Sequence, residues 1–130
     1  MEKLKSILDE LNNRYFGGRV RVKEIRLMKK KSNRIYGRFN REGRVIEINP
    51  IFLTNENALR FVIYHELCHA KQRFRKRRHK WHTKKFWALM RLYEGYKEEY
   101  NRYLLFLKDY WLSIGHLTQA EIDEWLNETN

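Results

Sequence analysis

The pentapeptide His65-Glu66-Leu67-Cys68-His69 combines residue types and a spacing that suit metal-dependent hydrolysis. Residues four apart on a helix project from one face, so the imidazoles of His65 and His69 can share one ion. Glu66, beside the first ligand, reaches the same rim, where a carboxylate can take a proton from a metal-activated water. The plainer alternative is a helix with two surface histidines and an ordinary glutamate. A catalytic zinc takes three protein ligands and keeps a fourth position open. His79, His82 and Glu94 are the nearby sources of the third, and His82 is the expected one. It stands in "WHTKKFW", just ahead of a helix that Phe86 and Trp87 would anchor in the core. The expected cofactor is one Zn2+ per chain. Cys68, three residues after His65, falls on a neighbouring face and reads as a small buried residue.

Positioning these groups requires a helix packed on something. Leu59, Val62, Ile63, Leu67 and Ala70 recur at helical spacing, which predicts a helix from a cap at Thr54 or Asn55 to about Phe74. A first helix is predicted from Leu4, Ile7, Leu8, Leu11 and Tyr15, stopped by Gly17 and Gly18. Alternation over Val20–Met28 predicts a strand. "NRIYGRFN" and "GRVIEIN" predict a hairpin turning at Arg41, Glu42 and Gly43, and Pro50 closes the sheet. A third helix is predicted from about Thr83, a break at Gly95, and a further helix to about Leu112. "TQAE" at 118–121 matches a capping box for a short last helix. The expected class is α+β, with a small antiparallel three-stranded sheet covered by the HExxH helix and further helices. Arg44, Val45, Ile46, Glu47 and Ile48 are expected to form the sheet edge beside the cleft, pairing with an extended substrate as an added strand. Tyr93, Tyr96, Tyr100 and His116 are available to stabilise an oxyanion, though packing or surface roles suit each of them better.

The chain has 130 residues, which suits one domain, and a formal charge of +12. A single cysteine excludes a disulfide framework and a cysteine-rich zinc ribbon. No apolar run is long enough for a membrane span, and the N-terminal helix pattern lacks a signal-peptide core, so a soluble, cytoplasmic protein is expected. Residues 71–85 hold nine Lys and Arg in fifteen, with Phe74 and Trp81 interleaved. That stretch could bind nucleic acid non-specifically through phosphates, or simply be solvated. The last twenty residues carry four carboxylates and no Lys or Arg. With Leu117, Ile122, Trp125 and Leu126 they make residues 116–130 a candidate cover for the cleft or a homodimer contact, against the alternative of a packing helix.

"HELCHA…WHTKKFWALM" resembles the YgjP-like and SprT-like metallopeptidases, in which a HExxH helix is followed by a histidine and, four positions on, by Phe or Phe-Trp. "LNNRYFGGRV" and "GRVIEINPIFL" are similar to the SprT-like helix, Phe-Gly-Gly turn and strand ending in Asn-Pro. In size and plan the chain also resembles the minigluzincins. The likeness covers about Leu11 to Tyr96. It implies a minimal zincin-like fold, His65, His69 and His82 as ligands, and Glu66 as the catalytic residue. It implies a zinc-dependent endopeptidase acting on peptides or proteins, and, through the minigluzincins, a zymogen held latent by its C-terminal segment. Thr83 departs from the Gly of many SprT-like proteins and is nearer the Ser of the YgjP-like pattern. The competing reading is a basic nucleic-acid-binding module with structural zinc or none.

Overall fold

The computed structural model describes residues 2–31, 35–72, 82–115 and 120. Helix α1 (Glu2–Phe16) buries Leu4, Ile7, Leu8 and Leu11 along one stripe. It ends where Gly17 and Gly18 take φ values of 60° and 74°, a left-handed turn that only glycine adopts without strain. The Asn12 side chain then brackets Val20, donating to its carbonyl at 2.9 Å and accepting from its N–H at 3.2 Å. Val20 is thereby engaged with a helix instead of a neighbouring strand. The first strand is correspondingly shorter than its alternation suggests.

The three strands are β1 (Glu24–Leu27), β2 (Gly37–Asn40) and β3 (Val45–Ile48), in the order β1-β3-β2. β2 and β3 form the expected antiparallel hairpin, but β1 runs parallel to β3, so the sheet is mixed and not wholly antiparallel. Two features favour β3 in the middle. Ile46 and Ile48 are wholly buried. On the outer face, the Glu47 carboxylate accepts from Arg26 at 3.3 Å on one side and from Arg38 at 2.8 Å on the other. One acid between two guanidinium groups is served from both sides only in the central strand.

This order corrects the role expected for residues 44–48. Both sides of β3 are used by its neighbours, so Val45, Ile46, Glu47 and Ile48 have no ladder left for a substrate. Arg44, at φ 53°, donates to the carbonyls of Arg21 and, at 3.1 Å, Ala70, and its guanidinium covers the Phe39 ring. Its work is to fasten the hairpin turn to a helix end, whose carbonyls favour a cation. Among the described residues, the strand with a free side next to the cleft is β2.

After β3 the chain passes through buried Asn49 into a 3-10 turn, Pro50–Thr54. Asn49 accepts from the Ile51 N–H and donates its side-chain amide to Ile35 at 2.9 Å, while its own N–H bonds the Tyr36 carbonyl. It thus ties the segment leading into β2. Asn55 caps α2 (Glu56–Lys71) by accepting from the Ala58 N–H at 3.0 Å. α2 ends at Lys71, with Gln72 as its C-cap, three residues before the predicted end near Phe74. It is the central element, touching α1, β2, β3 and the two later helices, α3 (Lys84–Met90) and α4 (Tyr96–Ser113). Thr83 caps α3, and Gly95, at φ 66°, separates α3 from α4 as expected. The class is α+β. Among the described residues no helix is long and apolar enough to cross a membrane.

Candidate metal centre

Helical spacing brings the rings of His65 and His69 to 4.8 Å between centroids, on the side of α2 that faces α3. His82 arrives from the other direction. Thr83 accepts from the Phe86 N–H at 3.2 Å, which starts α3 and leaves the preceding residue leaning over α2. The His82 ring lies 5.4 Å from that of His65 and 5.0 Å from that of His69. One nitrogen from each of the three falls within 4.8 Å of the others. Among the described residues this is the one group of three or more His, Cys, Asp or Glu able to hold a metal ion.

Phe86 makes the convergence possible. It is wholly buried, and its ring contacts all three imidazoles at centroid distances of 5.0, 4.4 and 4.9 Å. The three rings rest on a common apolar floor. His82, partly covered by its neighbours, is held below its ordinary pKa first by that partial desolvation and second by the neighbouring His65. Both effects favour the neutral imidazole that a metal requires.

Glu66 is 3% exposed, a rare burial for a carboxylate outside a functional or paired setting. Its Oε2 lies 3.0 Å from His65 Nδ1, which leaves Nε2 as the ring nitrogen available to an ion. On its other side stands Gly37 of β2, with no side chain to contest the space. His65, Glu66 and His82 form one wall of a cavity of about 400 Å³ that continues between β2 and α4. A larger hollow of about 920 Å³ between α1 and β1 holds none of the three histidines.

The other sequence candidates separate. Glu94 is exposed, paired with Arg14 of α1, and its N–H bonds Tyr15, so it is no part of the cluster. Cys68 is wholly buried, with its thiol pushed far up by burial, and does not belong to the donor group. Tyr93 is buried among Tyr15, Phe61 and Tyr64, whereas Tyr96 and Tyr100 line the cavity. His79, Trp81 and most of the basic run, at 73–81, lie outside the described residues, as do His116 and the rest of the acidic segment except Ala120.

Sequence reading did not single out Gly37, Tyr36 or Tyr103. For Tyr103 the local signal is the stripe Tyr96, Tyr100, Tyr103, Leu107 on a single face of α4, whereas Tyr36 and Gly37 carry none. Burial raises the Tyr103 phenol well above its ordinary pKa, with the charges of Tyr36 and Glu66 adding to the effect.

A family model described as the SprT-like family matches residues 4–103, from α1 into α4. Comparison with curated proteins and with solved structures found no match.

Proposed function

The chain belongs to the SprT-like family, and from that premise we propose that it is a zinc-dependent endopeptidase. The observation that carries this reading is the convergence of three imidazoles beside a buried glutamate on the wall of an open cavity. Three borderline nitrogen donors suit zinc and leave room for one more partner, whereas a structural zinc takes four protein ligands and has no use for Glu66. A nucleic-acid module with structural zinc is therefore the weaker reading.

Zinc held by His65, His69 and His82 would supply Lewis acidity toward a peptide carbonyl and toward water. The chain supplies the rest. Glu66 takes the proton of the attacking water and returns it to the departing amine, the two halves of general acid–base catalysis. The Nδ1 contact fixes the ring of His65. The free side of β2, beginning at Gly37, is the edge on which an extended substrate backbone can add as a strand. Latency imposed by residues 116–130 belongs to the same reading, supported by the four carboxylates there against a basic body. A chain ending at Gly115 that gains activity bears it out.

Peptide hydrolysis by wild type and Glu66→Gln, both loaded with zinc, tests the central claim. The variant should bind zinc as wild type does and lose hydrolysis by about 10²–10⁴-fold, the range for a general base. Equal rates would remove Glu66 from the chemistry.

A further inference from the structure

The cavity beside the histidines has a composition that the proposed reaction does not require. Beyond His65, Glu66 and His82, its lining among the described residues contains no Lys, Arg, Asp or Glu. Phe61, Val62 and Leu104 form buried walls, and Tyr96, Tyr100 and Trp87 line it as half-buried rings. The rings support one another. Phe61 stacks on Tyr96 at 6.2 Å and on Tyr100 at 6.0 Å, and the two tyrosines stack at 5.7 Å. Such a wall is assembled before anything enters. The opposite lip, Ile35 and Tyr36, is tied by Asn49.

We propose that this cavity is a subsite for one bulky apolar side chain, Phe, Leu, Met or Trp, flanking the bond to be cleaved. The proposal deepens the peptidase reading and rests on it for the identity of the occupant. At about 400 Å³ the space lies within the roughly 300–1,000 Å³ of ligand pockets, so it admits a large side chain. Apolar burial favours such an occupant. An Asp would lose its hydration and face Glu66, and a Lys would lose its hydration with only Glu66, already engaged by His65 Nδ1, as a charge partner. The continuity of the cavity with the histidine wall places the occupant within one residue of the reacting carbonyl.

The test uses the zinc-loaded full chain and Ala-based peptides that differ only at one central position, Phe, Leu, Lys or Asp. Mass spectrometry gives cleavage sites and relative kcat/KM. Cleavage beside the Phe or Leu should exceed that of the Lys and Asp peptides by about tenfold or more. Equal rates across the four would overturn the subsite. Tyr100→Ala should keep wild-type zinc content and narrow the Phe-to-Asp ratio severalfold, and an unchanged ratio would count against this wall. Binding of the same peptides to zinc-loaded Glu66→Gln separates the two proposals. If the wild type cleaves none of them, the peptidase reading falls. The subsite then stands only if the Phe peptide still binds more tightly than the Asp peptide, and falls with it otherwise.

Discussion

A methyl group added at Gly37 would stand 3.0 Å from Oε2 of Glu66 and 3.1 Å from its Cγ. The absent side chain on β2 and the buried carboxylate on α2 are two halves of one fit. Gly37→Ala should therefore push the Glu66 carboxyl aside. The expected result is a loss of hydrolysis of at least about tenfold, since small misplacements of a reacting group are costly. Zinc content should stay that of wild type. Measuring both on one preparation decides the matter, and a fully active Gly37→Ala would show that Glu66 tolerates displacement.

Of the three proposed ligands His82 is the one most easily removed without touching the core, because it is exposed while His69 is buried. His82→Ala should lower bound zinc, by elemental analysis, from about one per chain to a small fraction. It should also abolish the rise in Tm expected when zinc is added to the wild type, because an ion that binds only the folded state stabilises it. A variant that keeps its zinc would exclude His82 as a ligand.

Glu47 makes a pH prediction with a definite sign. Arg38 and then Arg26 hold its carboxyl below the ordinary value of 4.5, with burial opposing them. A depressed folded pKa gives stability that is fully present above pH 4.5 and is lost as pH falls through the lower, folded value. Glu47→Gln should thus cost about 1 kcal/mol near pH 7, and the gap from wild type should shrink at acid pH. Urea titrations at two pH values give the comparison. A gap that widened in acid would reverse the assignment.

Arg44 distinguishes scaffold from substrate contact. Arg44→Ala should lower stability by about 1–2 kcal/mol through the lost bonds to Arg21 and Ala70. The KM for peptides should stay near wild type. A large rise in KM with unchanged Tm would restore Arg44 as a binding residue.

The parts of this site that sequence made legible are those built from local spacing. His65 and His69 need only the pitch of one helix, and His82 needs only that Thr83 starts another. Asn55, Gly17 and Gly95 mark boundaries through their own caps and backbone angles. The sheet order was not legible, because alternation tells which face of a strand is buried and not which neighbour it takes. The central place of β3 follows from Glu47 meeting Arg26 and Arg38, a relation among residues as much as 21 positions apart. The cavity was hidden for the same reason. Phe61 and Tyr100 stack across two helices, and Gly37 matters only because Glu66 comes to lie against it.

Cys68 sits between the two histidines of α2, yet its sulfur is sealed in the interior. The donor set is accordingly all imidazole, with a carboxylate alongside and no thiolate. Oxidants that convert exposed thiolates to sulfenic acids or disulfides, and so strip cysteine-bound metals, have nothing to attack here. A zinc ion held there, as proposed, would stay through changes of redox state that would empty a zinc ribbon.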